Sequence, residues 1–232
     1  MFLQLFITPA ILAIGILNQL AMTIPFPMSD ALLMSWDLAL GFKWLAYAMA
    51  VTSHPYLILT LETSYSLLMP VIFWASAIMI LFGKRKRASE FCALIMLTAA
   101  LCIMLASMFP AFEVPYVLSN SAPPTKLPSN FGTHHVEQLL AMRSSSAIFL
   151  DPKNFKGLSS LPSYHTIAGL LIVYACRGYV IPFVLAATYT SLMLISTPVY
   201  GGHYLVDIIA GIVFTGIFLV FWRKYGAKYI RE

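Results

Sequence analysis

Six apolar runs, each meeting or approaching the length of a bilayer-crossing helix, divide this chain almost from end to end: 2–24, 56–82, 91–109, 162–176, 179–196 and 203–222. A span needs roughly 20 apolar residues, within a range of about 17 to 25. Of the 232 residues, 60% are hydrophobic and 10% charged, whereas a soluble domain carries about 25% charged residues. Too little polar surface is present to coat a water-soluble particle. The expected fold is therefore all-α: a polytopic membrane protein built as a six-helix transmembrane bundle. It is expected to form one domain over 1–232, with no room for a separate soluble unit. The first run lacks a basic leader and a small-x-small cleavage site, so it reads as a retained helix rather than a signal peptide.

Between the first two runs, residues 29–53 are apolar but carry Asp30, Asp37 and Lys43. That charge disfavours a span and predicts a helix lying at the membrane interface, with Trp36 and Trp44 as anchors. Pro70 is expected to kink the second span, and Pro110 to stop the third. The longest polar stretch, 111–161, is rich in Pro, Ser and Asn, and loops of that length are usually functional or disordered. The motif-bearing helices follow it, over 162–222. Cys92, Cys102 and Cys176 lie in apolar segments without metal-ligand spacing and read as reduced packing residues.

The net charge of +5 forms no stripe of the kind that binds nucleic acid. Basic residues gather instead at the ends of the apolar runs: Lys84, Arg85, Lys86 and Arg87, then Arg177, then Arg223, Lys224, Lys228 and Arg231. The positive-inside rule assigns these sites to the cytoplasm. Six spans then leave both termini inside, and bring the loop 111–161 and the turn 198–202 together on the outer face.

Those two segments hold the chemistry. In Leu161-Pro162-Ser163-Tyr164-His165-Thr166, Pro followed by Ser signals a helix start. The first backbone N–H groups of a helix have no internal partner and, with the dipole, suit an anion such as phosphate. In Gly201-Gly202-His203-Tyr204-Leu205-Val206-Asp207, the histidine and aspartate are four apart and can meet on one helix face. An aspartate one turn inside a span is costly without a partner or a task. Its carboxylate would hold one ring nitrogen of His203 as N–H and leave the other as a nucleophile. Each segment alone is equally well an ordinary capped helix. Together they place two histidines at the outer starts of two spans.

Pro162-Ser163-Tyr164-His165 resembles the P-S-G-H signature of the type 2 phosphatidic acid phosphatase superfamily, and 196–207 resembles its S-R-x5-H-x3-D signature. Thr197-Pro198, Gly202-His203-Tyr204 and Asp207 are most similar to the branch that holds inositol phosphorylceramide synthases. The resemblance implies that His203 attacks phosphorus to form a phosphohistidine, with Asp207 orienting it. It implies His165 as general acid and then base, and Ser163 with nearby backbone N–H groups, Tyr164 included, as the phosphate cradle. It also implies that no metal ion or other cofactor is required. Two residues depart from the signatures. Thr197 stands where the family has a phosphate-clamping arginine, and Tyr164 where it has glycine. The family's first signature, K-x6-R-P, is absent as written, and Arg143 is the candidate for its work because arginine grips phosphate through parallel N–H bonds. Lys153 and Lys156 are weaker candidates for that role.

His134 and His135 lack a matching Cys or carboxylate pattern and read as solvated rather than metal-binding. Glu62 lies inside the second span, where a carboxylate invites a functional role, with no partner evident from sequence. The expected activity is a lipid phosphate phosphatase acting on a phosphomonoester or pyrophosphate. Its alternatives are a lipid phosphotransferase of the inositol phosphorylceramide synthase type and a non-catalytic lipid-phosphate binding or transport protein. The expected partners are a phosphorylated lipid and the bilayer, with no nucleic acid. The expected setting is a bacterial cytoplasmic membrane, with the site on its outer face.

Overall fold

The computed structural model describes residues 2–120, 135–144, 155, 157, 158 and 160–226, with side chains from residue 9 onward. His134, Lys153, Lys156, Lys228 and Arg231 lie outside the described residues. The chain runs through α1 (Phe2–Ala21), α2 (Asp30–Ala39), α3 (Trp44–Thr52), α4 (Pro55–Ser66), α5 (Leu68–Leu81), α6 (Arg85–Met108), α7 (Val114–Ser119), α8 (Val136–Ser144), α9 (Tyr164–Ala175), α10 (Val180–Tyr200) and α11 (Leu205–Phe221). A short π-helical turn, Trp222–Gly226, continues α11. Among the described residues there is no β-strand.

Three of these helices are long and apolar enough to cross a membrane: α6, α10 and α11 with its π turn. The pair α4–α5 makes a fourth if its two halves, bent by 56° at the break, are one span. The break falls at Leu67, just before Pro70. Proline at 70 has no N–H to give the carbonyl of Ser66, so the ladder fails one turn upstream of it. Shorter apolar helices cover Pro9–Ala21 and Tyr164–Ala175.

Helix α9 is the centre of the bundle and packs against α5, α6, α10 and α11. Its sequence has no polar face, as a helix buried on all sides requires, and Ile167, Ala168 and Leu171 are fully buried. Lipid tails are as apolar as Leu, so close packing rather than water exclusion must hold such helices together. Small residues supply that closeness. A methyl group added at Gly169 would meet Thr190 and Met193 of α10, and one at Gly211 would sit 2.9 Å from the Ser163 carbonyl oxygen. The outer sides of α10 and α11 expose Val180, Ile181, Leu185, Val213, Ile217 and Val220. An apolar exterior of that extent suits a lipid-facing surface.

The basic residues between α5 and α6 and those after α9 and α11 gather at one end. Arg87 Nη1 donates to the Arg177 carbonyl at 2.7 Å, Arg177 pairs with Glu90, and the Trp222 indole N–H reaches Glu90 Oε1 at 3.2 Å. The starts of α9 and α11 lie at the opposite end of those two helices.

The interfacial segment departs from expectation. It forms two helices broken at Gly41, whose φ of +76° suits glycine. Trp36 is exposed, but Trp44 is buried and does not serve as a surface anchor. Its indole N–H donates to the Pro198 carbonyl at 2.8 Å, one of the last-turn carbonyls of α10 that the helix itself leaves open. The Tyr47 hydroxyl donates to the Ile195 carbonyl in the same helix end. Helix α3 thus clamps the end of α10 where the glycine turn begins.

Candidate active site

Helix α11 starts later than expected, and His203 lies just outside it. Tyr204 is the N-cap and Asp207 the third helical residue, the position from which an acidic side chain reaches back over the helix start. Asp207 is fully buried, and its Oδ2 accepts from the Tyr204 amide at 3.2 Å and from His203 Nδ1 at 3.0 Å. The Ser160 hydroxyl donates to the same oxygen at 2.7 Å. A carboxylate accepting from Nδ1 fixes the ring proton there and leaves the lone pair on Nε2. The two side chains meet as the four-residue spacing predicts, but across the cap of α11 rather than within one turn of the helix. Gly202, with φ +62°, makes the turn that delivers His203.

The start of α9 faces this pair. Ser163 is its N-cap, and the Ser163 amide donates to the Asp207 carbonyl at 2.9 Å, tying the two motif segments together through backbone. The hydroxyls of Ser163 and Thr166 are fully buried and have no hydrogen-bond partner among the described residues. A buried hydroxyl without a partner is costly, and a phosphoryl oxygen would supply one. Tyr164 turns its side chain away, donating its hydroxyl to the Ile95 carbonyl at 2.9 Å. Only its backbone N–H can serve the cradle.

His165 stacks on Tyr65 of α4, with ring centroids 4.0 Å apart and planes 11° from parallel. A Cβ placed on Gly201 would lie 2.7 Å from both the Tyr65 hydroxyl and His203 Cδ2. Tyr65 therefore links the two histidines: it backs one ring, and its hydroxyl approaches the glycine beside the other. His165 is within electrostatic reach of His203 and of His135. Sequence gave no sign of Tyr65, since an aromatic on an apolar helix is ordinary.

Arg143 is placed differently from expectation. Its Nη1 donates to the Phe26 carbonyl at 3.0 Å and its Nη2 to the Ile24 carbonyl at 3.2 Å. The carbonyls of the loop after α1 take the guanidinium donors, that of Ile24 beside the Phe26 amide it already accepts at 2.9 Å, so the side chain holds that loop. Thr197 is fully buried and turns its hydroxyl back to the Met193 carbonyl at 2.7 Å, as an apolar helix interior demands. Glu62 is exposed on α4, within electrostatic reach of Tyr200. Among the described residues no group of three or more His, Cys, Asp or Glu is disposed to hold a metal ion.

Helix α2 contributes what the sequence did not assign. Asp37 is 2% exposed, and its two oxygens accept from the amides of Leu205 and Val206, each at 2.9 Å. It caps α11 from another helix. Seven residues earlier on the same face, Asp30 Oδ1 accepts from the Tyr204 hydroxyl at 2.9 Å. Burial pushes both carboxyls above the ordinary carboxylate range, and the charge of Asp207 adds in the same direction. Asp37→Ala would leave two helix-start amides without acceptors, at a cost of about 1–3 kcal/mol each. The expected result is a lower Tm in detergent together with a kcat reduced about tenfold or more, because the nucleophile loop shifts. An unchanged Tm and kcat would remove Asp37 from the positioning scheme.

A buried His–Asp pair faces a second histidine beside unfilled hydroxyls. The family model described as the PAP2 superfamily matches residues 31–221. The chain belongs to the PAP2 superfamily. No curated protein and no solved structure matches it significantly. Members of the PAP2 superfamily are phosphatases or phosphotransferases, so membership points to an enzyme with phosphatase-type activity on lipid phosphates. Membership and the apolar helices are together consistent with a membrane protein.

Proposed function

We propose that this PAP2 superfamily protein is a lipid phosphate phosphatase that cleaves a phosphomonoester or pyrophosphate through a phosphohistidine. The observation that carries this is the buried His203 Nδ1–Asp207 Oδ2 contact at 3.0 Å. His203 Nε2 attacks phosphorus, and the P–O bond to the lipid breaks. Protonated His165 gives its proton to the departing oxygen. Neutral His165 then takes a proton from water, whose oxygen attacks the phosphohistidine. The P–N bond breaks, inorganic phosphate leaves, and both histidines return to their starting states. Ser163 Oγ and the opening amides of α9 hold the phosphoryl oxygens while charge builds on them.

The reading also takes α1, α4 with α5, α6, α9, α10 and α11 as six spans. The basic end lies in the cytoplasm and the histidines open to the outer face of a bacterial cytoplasmic membrane. A substrate with its tail in the bilayer would present its headgroup there. A second reading, transfer to an acceptor alcohol, is favoured by the likeness of 197–207 to the inositol phosphorylceramide synthase branch. The same residues would serve it, with His165 activating the alcohol in place of water.

The test is phosphate release by detergent-purified protein from a panel of lipid phosphates and pyrophosphates in EDTA, with an alkaline detergent quench to trap an acid-labile, alkali-stable phosphoenzyme. Metal-independent release with a trapped intermediate supports hydrolysis. An added alcohol that captures the phosphoryl group faster than water supports transfer. No release and no transfer from any substrate would sink both.

A further inference from the structure

The outer end of the bundle is crowded with acid. Asp30, Asp37 and Asp207 converge on the start of α11, close enough that Asp207 acts on both others. Glu113, only 8% exposed, acts electrostatically on Tyr65, the residue stacked on His165. A phosphate ester carries one or two negative charges, and at short range in a poorly screened site like charges repel by several kcal/mol. An anion can settle there only if cations meet it. Arg143 holds the Ile24 and Phe26 carbonyls. Arg87, Arg177 and Arg223 belong to the far end of the bundle, and Lys43 is exposed at the start of α3.

Among the described residues, a further cation-forming group beside the two histidines is carried to the site by a built arrangement. The Val114 amide donates to the Gly202 carbonyl at 2.9 Å, so the segment between α6 and α7 is bonded to the residue next to His203. Glu113 immediately precedes that bond. His135 Nε2 lies 3.4 Å from Glu113 Oε1. Helix α8 holds His135 in place: Leu139 and Met142 are buried with Met22, Ala106 and Leu158. The His135 side chain is 29% exposed, against 10% for that of Glu113, so the histidine lies on the more open side of the pair and the carboxylate on the inner side. His135 also lies within electrostatic reach of His165. Among the described residues, Glu113 before α7 and His165 on α9 act on this imidazole.

We propose that His135, backed by Glu113, is an anion-binding residue of this site whose imidazolium holds the non-bridging oxygens of the phosphoryl group that His203 attacks. This rests on the phosphoryl-transfer reading and adds a substrate-binding residue to it. Glu113 acts through His135 and is a positioning residue. A purely structural ion pair joining α7 to α8 is the competing account, and it makes different demands. A structural pair changes Tm, whereas an anion-binding cation changes phosphate affinity and KM and is replaceable by another cation.

The experiment uses the intact protein in detergent with two probes: inorganic phosphate, bound in a calorimeter without turnover, and short-chain phosphatidic acid for KM and kcat. His135→Gln is expected to weaken phosphate binding and raise KM, each about tenfold or more, the scale of one hydrogen bond to a charged group. The change in kcat should be within about threefold. His135→Arg should recover most of the phosphate affinity, and Glu113→Gln should raise KM less than His135→Gln does. Unchanged phosphate affinity in His135→Gln, or an equal fall of kcat and Tm that Arg does not rescue, overturns the proposal. The two readings can fail separately. Wild-type turnover lost in His203→Ala beside a His135→Gln variant with normal KM and phosphate affinity leaves the phosphatase and removes this residue. Phosphate binding that depends on His135, without turnover of any lipid phosphate, keeps the anion site and removes the phosphatase.

Discussion

His203→Ala is expected to lower phosphate release by at least about 10⁵-fold, because deleting a nucleophile or its base in a covalent mechanism costs on that order. Among the described residues, no neighbouring hydroxyl is paired with a base that would let it take over the attack. Ser160 and Ser163 carry hydroxyls, but Ser160 already donates to Asp207 Oδ2, and Ser163 would need a base to activate it. The fold should survive the change. His203 sits outside α11, and Asp207 Oδ2 keeps the Tyr204 amide and the Ser160 hydroxyl when the imidazole is gone. The measurement is phosphate release and phosphoenzyme trapping beside a thermal melt of both proteins. Loss of release and of the trapped intermediate with Tm held within a few degrees supports nucleophilic attack by this side chain. Release within tenfold of wild type rejects it. Full biological function without catalysis would move the protein to the lipid-phosphate binding class.

The pieces legible in sequence were those whose physics is local. Apolar runs gave the apolar helices, Pro70 gave the bend, and the spacing of His203 and Asp207 gave their contact. Each depends on neighbours a few residues away. The pieces that were not legible come from distant elements. Asp30 and Asp37 were visible as charges in an apolar stretch and argued against a span, but only the fold shows what they cap. Trp44 reads as an interface anchor until the end of α10 presents an open carbonyl to it. Tyr65 and Ser160 carry no local signal, because a tyrosine on an apolar helix and a serine in a polar loop are both commonplace. Arg143 was chosen for its chemistry, and the carbonyls of the loop after α1 take its guanidinium donors instead. His135 was dismissed for want of a nearby carboxylate. Its partner Glu113 lies 22 positions earlier, beyond the reach of any spacing rule.

Asp207→Asn is expected to lower kcat by about 10⁴-fold, the scale seen when the aspartate of a hydrogen-bonded triad becomes an amide. Asp207 Oδ2 accepts from His203 Nδ1, the Tyr204 amide and the Ser160 hydroxyl, all at one oxygen. An asparagine can be set in the same space in two ways. With its oxygen at the Oδ2 position it keeps the three donors but has lost the negative charge, so the cationic ring formed by attack on phosphorus is no longer stabilised. With its NH₂ there it faces three donors and can satisfy none of them without turning the imidazole. A proton donated to Nδ1 then forces the ring proton onto Nε2, the atom that must attack. Either arrangement slows formation of the phosphohistidine, whereas the α9 cradle that holds the phosphoryl oxygens is left intact. Substrate affinity should therefore change little, and the loss should fall on kcat rather than KM. Rapid-quench measurement of phosphoenzyme formation isolates that step. A kcat reduced less than tenfold would mean that His203 does not need the carboxylate, and that Asp207 serves α11 as a cap alone.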